Sequence, residues 1–323
     1  MSGESLITIH WSEASGEAAM PRWPLTMSDE PTMMHRRKVL AIAVSAGMAS
    51  ALRPTTARSA DDEQSRFRII DTNISLFRWP FRRLPLDDPD ALVKKLRSLG
   101  IAQGWAGSFE AILHRDIAGV NQRLADACRN RVELIAVGSI NPELPDWEND
   151  FRQCTEEHDM PGIRLHPNYH GYTLDDPRFR RIVELATTAG RFIQIAAAME
   201  DTRTQHALVQ VPDVDFAPLV KLLKVMPGAR VQILNQNLRP PLLLQLAETP
   251  GVYFDTSRVD GTDGVPQLVL NVLPGRVLFG SHAPFLIPEA ALIRVHESGV
   301  LDEASLRALL SENARQLFGN ATV

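Results

Sequence analysis

The sequence predicts an α/β protein folded as a single-domain (β/α)8 TIM barrel, on three observations. Eight short, β-rich apolar runs alternate with stretches of helical apolar spacing, the pattern of parallel strands joined by crossover helices. The alternating region is about 260 residues, the usual size of one such barrel. No G-x-G-x-x-G follows the first run, which weakens the competing open, doubly wound sheet.

In chain order, the first run is Phe67-Arg68-Ile69-Ile70-Asp71 and leads into a Pro-rich loop. Asp88-Pro89 then reads as an N-cap and first helical residue, opening a helix that Gly100 ends. Strands are expected at 101–105, 132–140, 162–166, 192–197, 230–234, 252–255 and 277–280. Helices are expected between them at 116–130, 147–158, 178–189, 216–226, 241–248, 265–273 and 288–297, with a last one over 303–317. The strand interiors read as apolar. Loops 76–87 and 199–215 are long enough to wall or cover a site.

The N-terminal 60 residues stand apart from the barrel domain, 61–323. His35-Arg36-Arg37-Lys38 precedes an apolar run from Val39 to Leu52, then the small-residue stretch Ala57-Arg58-Ser59-Ala60. A basic head, an apolar core and a small-residue cleavage site form an export signal, and the paired arginines resemble the twin-arginine type. Periplasmic or extracellular location is therefore expected. The run is too short and too rich in Ala, Ser and Gly to span a membrane, so no membrane contact is expected of the mature form. Met33 or Met34 is an alternative start.

The 323 residues carry 34 Lys and Arg against 39 Asp and Glu, a formal charge of -5, which excludes the basic footprint of a nucleic-acid binder. The two cysteines, Cys128 and Cys154, lack metal or redox spacing and read as buried thiols.

In a barrel, residues finishing the strands face a bound substrate. Here these are Asp71 and Asn73, Trp105, Asn141, Arg164 and His166, Ala196, Asn235 and Asn237, Asp255, and His282. Asp255 and Asn141 read equally well as helix caps. Asp71, Asp255, His166 and His282 are the candidate catalytic groups. Arg164, Tyr169, His170, Asn73 and Asn235 are the candidate substrate contacts. The run Phe77-Arg78-Trp79-Pro80-Phe81-Arg82-Arg83 reads as a substrate wall or as a loop packing its aromatics across the mouth, the second being favoured. Glu200 and Asp201 are further acids without an evident partner.

Ile70-Asp71-Thr72-Asn73-Ile74-Ser75 resembles the first-strand segment of amidohydrolase-related proteins, which normally carries Asp-x-His-x-His. Gly162-Ile163-Arg164-Leu165-His166-Pro167 resembles their fourth-strand segment. Phe279-Gly280-Ser281-His282-Ala283-Pro284 resembles their eighth-strand Phe-Gly-Ser-Asp-x-Pro, and the ending 312–318 is similar too. The resemblance implies a barrel enzyme with metal ligands at positions that here read Asn73, Ser75, Ala196, Asn235 and His282. Only one of these is a good ligand for zinc, so no standard metal site is expected.

Three readings follow. The first is a metal-free hydrolase opening a lactone, an ester or a C–N bond of a small anionic or sugar-like substrate. His282 or His166 would be the base, Arg164 would hold an anion, and Asn73 and Asn235 would steady a developing oxyanion. The second is a binding barrel that has lost catalysis. The third is a metal-dependent hydrolase or C–C lyase whose zinc is held by relocated ligands among His166, His170 and His282 with Asp71 or Asp255. The spacing of His166 and His170 faces both rings alike only on a helix, and Pro167 argues against one there. Homo-oligomers are common among such barrels, and no interface is specified.

Overall fold

A computed structural model describes residues 68–271, 275–297 and 299–319. The expected export signal lies outside the described residues. Among those described, no helix is long and apolar enough to cross a membrane.

Among the described residues, nine strand segments make the eight strands of the barrel. They are β1 (Ile69–Leu76), β2 (Ile101–Ser108), β3 (Leu134–Ala136), β4 (Gly138–Ser139), β5 (Gly162–Leu165), β6 (Phe192–Ala196), β7 (Val231–Leu234), β8 (Val252–Asp255) and β9 (Val277–Leu278). β3 and β4 are one barrel strand interrupted at Val137, whose N–H still reaches Ala106 O on β2 at 2.8 Å. All pairings are parallel. The barrel closes where Thr72 donates its N–H to Phe279 O at 2.9 Å and His282 donates to Asn73 O at 2.8 Å.

Each connection carries a helix whose apolar stripe packs on the strands. In α1 (Pro89–Ser98), Asp88 accepts the N–H of Ala91 as N-cap, Pro89 starts the first turn, and Leu92, Val93 and Leu96 are buried. Burying each such side chain contributes about 1.5–3 kcal/mol. The helices expected over 147–158 and 303–317 are present but pass through wider π turns at Gln153–Glu157 and Ala308–Glu312. Both cysteines are free and buried, and burial pushes the Cys128 thiol up to about 12.

The expectation that Pro167 excludes a helix fails. Pro167–His170 is a helical turn with Pro167 at its first position. Proline is at home there, because its missing N–H has no partner to lose and its φ is preset. The turn brings the His166 and His170 rings edge to face at 5.9 Å.

Candidate active site

The strands run further than their apolar cores suggest. β1 continues to Leu76 and β2 to Ser108, so Asp71, Asn73 and Trp105 lie within strands rather than at their ends. Trp105 stacks on Phe192 at 4.9 Å and packs with Phe318, filling the opposite end of the barrel from the candidate site. Asn141 accepts the N–H of Glu143 at 3.0 Å, a local cap, and Asn237 is exposed.

The strand interiors are not uniformly apolar, which corrects the sequence reading. Register places Arg164, Gln194 and Gln232 side by side on β5, β6 and β7. Gln232 donates to Thr72 Oγ1 at 2.7 Å, Gln194 donates to Gln232 Oε1 at 2.8 Å, and Arg164 Nε donates to Gln194 Oε1 at 2.8 Å. Arg164 also reaches Ile74 O at 2.7 Å, Ser75 Oγ at 3.3 Å and Trp105 O at 3.2 Å. Its guanidinium is thus held by four neutral oxygens of the barrel itself, and the role of a free substrate clamp is reduced to its remaining N–H. Burial lowers its pKa to about 10, opposed by the charges of Asp255 and Asp71. The side chain fits only because β2 carries Gly107 beneath it, where a Cβ would stand 2.5 Å from Nη1.

Two buried carboxylates brace the strand ends above this layer. Asp71 Oδ1 accepts the N–H groups of Asn73 at 3.1 Å and Ser281 at 3.0 Å, while its Oδ2 is buried without a partner. Asp255 accepts the N–H of Asn235 at 3.0 Å on Oδ1 and Asn73 Nδ2 at 2.7 Å on Oδ2. Asn73 Nδ2 also donates to Asn235 Oδ1 at 2.7 Å, which Ser257 Oγ approaches at 2.8 Å. Burial pushes Asp71 up to about 7 and Asp255 up to about 6, their hydrogen bonds working against the shift. Asn235 and His282 stand at φ 56° and 57°, the left-handed region that costs an ordinary residue energy and recurs at functional sites.

Three histidines each bring a buried, unpartnered ring nitrogen to the site. His282 Nε2 faces Met199 O at 2.8 Å, and a carbonyl can only accept, so Nε2 carries the proton and Nδ1 a bare lone pair. His170 Nε2 faces Ala111 O at 3.0 Å in the same way. The Nδ1 atoms of His166, His170 and His282 are all buried without partners. Burial lowers His282 to about 3 and holds His166 well below the usual imidazole range, helped there by His170, Arg164 and His282; it lowers His170 as well.

The loop after β1 covers these groups, as the favoured reading of its aromatic run expects. Trp79 meets Phe81, Phe109, Tyr169 and Phe285 edge-on at 5.2–6.3 Å. Met199 and Ala196 pack into the same cluster, so Ala196 is part of the underside of this cover. Trp79 is 2% exposed and His166 and His282 are each 1% exposed. Trp79 Nε1 and Tyr169 Oη are buried without partners, and burial raises the Tyr169 hydroxyl above its usual range. Glu200, without an evident partner in the sequence, pairs with Arg82 at 2.7 Å, whereas Asp201 binds the exposed Arg203 locally.

Sequence reasoning missed Thr72, Gln194, Gln232, Ser257, Ser281, Met199 and Phe285. A signal existed for two of them: Ile193-Gln194-Ile195 and Val231-Gln232-Ile233 each set one glutamine into an apolar strand. Their shared register was not legible.

The donor set does not fit the family's metal. Asn235 Oδ1 already accepts two hydrogen bonds, and Asn73 turns its amide N–H groups to Asn235 and Asp255. Among the described residues, no group of three or more His, Cys, Asp or Glu is placed to hold a metal ion.

Comparison with curated protein sequences gives no match. Solved structures match in fold. 2,6-Dihydroxybenzoate decarboxylase from Rhizobium aligns over 77% of this chain and 98% of its own, with TM-score 0.60 and 16% identity. 5-Carboxyvanillate decarboxylase from Novosphingobium aromaticivorans, bound to manganese and 3-methoxy-4-hydroxy-5-nitrobenzoic acid, aligns over 79% of this chain and 98% of its own, with TM-score 0.62 and 14% identity. 4-Oxalomesaconate hydratase from Rhodopseudomonas palustris aligns over 77% and 95%, with TM-score 0.59 and 15% identity. The amidohydrolase family model matches residues 71–319, and the chain belongs to that family.

Proposed function

We propose that this barrel is a C–C lyase acting on a small carboxylate-bearing molecule, with Asp71 as the general acid. The observation that carries the reading is Asp71 Oδ2, a buried carboxyl oxygen without a partner in a group whose pKa is pushed up to about 7. An acid of that strength holds a proton at working pH and can release it, which is what general acid catalysis asks for. The names of the structural neighbours, two decarboxylases and a hydratase, favour this class over lactone or ester opening. Of the two asparagines a hydrolytic reading would use to steady an oxyanion, Asn73 spends its amide N–H groups on Asn235 and Asp255.

In the step proposed, the bond from the substrate carbon to its carboxylate breaks, its electron pair stays on carbon, and carbon dioxide leaves. Asp71 gives its proton to that carbon and recovers one from solvent. His282 Nδ1 and His166 Nδ1 accept hydrogen bonds from substrate hydroxyl groups. The Trp79 cluster keeps water away.

The test is carbon dioxide release from a panel of aromatic and aliphatic carboxylic acids, in wild type and Asp71→Asn. Turnover should fall by roughly 10²–10⁴ in the variant, with ligand binding retained. Turnover indifferent to Asp71→Asn sinks the assignment. A second reading, a binding barrel without turnover, is favoured by the commitment of Arg164 to the barrel's own oxygens. Thermal stabilisation by an acid that is never consumed would establish it. Export by the twin-arginine route is proposed from the sequence alone, and an intact N-terminus on secreted protein would refute it.

A further inference from the structure

We propose that Arg82 is the latch of a lid formed by residues 77–87, and that this latch also positions His282. Arg82 is gripped from two sides. Its Nη1 pairs with Glu200 at 2.7 Å, and its guanidinium carbon lies 4.7 Å from the centre of the Phe285 ring. Both grips continue to the same histidine. Met199, next in chain to Glu200, accepts the Nε2 proton of His282 at 2.8 Å, and Phe285 stacks on the His282 ring at 5.0 Å and 19°.

One cation on the lid therefore holds Phe285 and the chain neighbour of Met199, the two residues that fix the His282 ring, which stands at a left-handed backbone position and has no polar partner on Nδ1. The Glu200 side chain is 2% exposed while that of Arg82 is 44% exposed, so the anion is fixed in the wall and the cation arrives from outside with the loop. A buried carboxylate left without its cation is costly, which gives the closed state its preference. Behind Arg82, Trp79 fills the centre of the aromatic cluster and Phe81 stacks on His206 of the facing loop at 5.4 Å. Opening the lid thus uncovers the chamber and loosens His282 together; closing sets the ring and excludes water in one movement.

The test needs no substrate, so its failure is separate from failure of the proposed chemistry. In the full chain, acrylamide quenching of Trp79 is read as the difference between each protein and its Trp79→Phe counterpart. Carbethoxylation of His282 is read by peptide mass, with the exposed His296 as internal reference. Arg82→Ala and Glu200→Gln should each raise Trp79 quenching and His282 modification about threefold or more, as local opening does. His296 should be unchanged and Arg82→Lys should stay near wild type. Unchanged Trp79 quenching in both variants overturns the latch. Raised quenching with His282 still protected overturns the coupling. If Arg82→Ala loosens the whole chain, seen as equal gains at every histidine, the isosteric Glu200→Gln decides alone.

Discussion

Asp255 holds Asn235 in a backbone conformation that asparagine adopts only at a cost. Its Oδ1 accepts the Asn235 N–H at 3.0 Å while that residue stands at φ 56°. Its Oδ2 ties down Asn73, which in turn bonds the Asn235 side chain. Asp255→Ala leaves two buried N–H donors unsatisfied, and roughly 2–5 kcal/mol of stability should be lost in urea denaturation. Asn235→Gly should cost less than Asn235→Ala, because glycine takes positive φ freely. The reverse order would show that the side-chain bonds, rather than backbone strain, dominate there.

Stability should depend on pH through buried groups of opposite sign, Asp255 acting in the same direction as Asp71, and His166 and His170 in the same direction as His282. Asp71 titrates near 7 in the folded chain, above its unfolded value of about 3.9, so the folded state binds more protons between these limits. Its contribution is full below about pH 4 and is lost as pH rises through about 7. His282 titrates near 3 when folded and about 6.5 when unfolded, so its contribution is full above about 6.5 and is lost as pH falls through about 3. Each slope approaches about 1.4 kcal/mol per pH unit inside its window, and the two oppose each other between about pH 4 and 6.5. Asp71→Asn should therefore make stability rise more steeply with pH over that range, and His282→Gln should make it rise less. Denaturation midpoints at four pH values check both, and an Asp71→Asn curve parallel to wild type would remove the assigned shift.

Metal retention should be poor. The amide oxygen of Asn235 is occupied, and among the described residues no three His, Cys, Asp or Glu side chains are placed to share an ion, so the bare Nδ1 atoms of His166, His170 and His282 lack the further ligands a divalent ion needs. After incubation with zinc or manganese and dialysis, well under one equivalent should remain, and a chelator should leave the melting temperature unchanged. A retained full equivalent with a chelator-sensitive melting curve would mean that the strand ends rearrange around the ion.

The barrel was legible because each strand–helix unit carries its own local signals, such as Asp88-Pro89 before an apolar stripe and Gly100 after it. The strand-end residues were legible for the same reason at Asp255 and His282, which sit where apolar runs stop, whereas β1 carries on past Asn73 to Leu76. What the chain did not announce is which polar groups satisfy one another. Arg164 reads as an anion clamp until register shows Gln194 beside it and the Ile74 and Trp105 carbonyls around its fork. The turn at Pro167 was misread because proline's rule depends on whether it sits first or inside a helix, and only the fold fixes that. The pairing of Glu200 with Arg82 spans 118 residues, beyond the reach of any periodicity.

The polar layer makes one more expectation, at a residue with no side chain. A Cβ on Gly107 would stand 2.5 Å from Arg164 Nη1 and 2.9 Å from its Cζ. Ordinarily the end of an arginine yields to such a contact. Here the guanidinium is held by Gln194, Ile74, Ser75 and Trp105, so moving it breaks bonds inside the barrel. Gly107→Ala should therefore cost about 1–3 kcal/mol, the usual penalty of overpacking, instead of the small gain alanine gives at an unconstrained strand position. Arg164→Met should be destabilising by itself, since it leaves buried oxygens unpaired. Once Arg164 is gone, however, the added methyl has nothing left to displace. The double variant should be more stable than the sum of the two single losses, by about 1 kcal/mol or more, the coupling expected of residues in contact. Strict additivity in that cycle would mean that the alanine at 107 is accommodated by the β2 backbone and that Arg164 is not what requires glycine there.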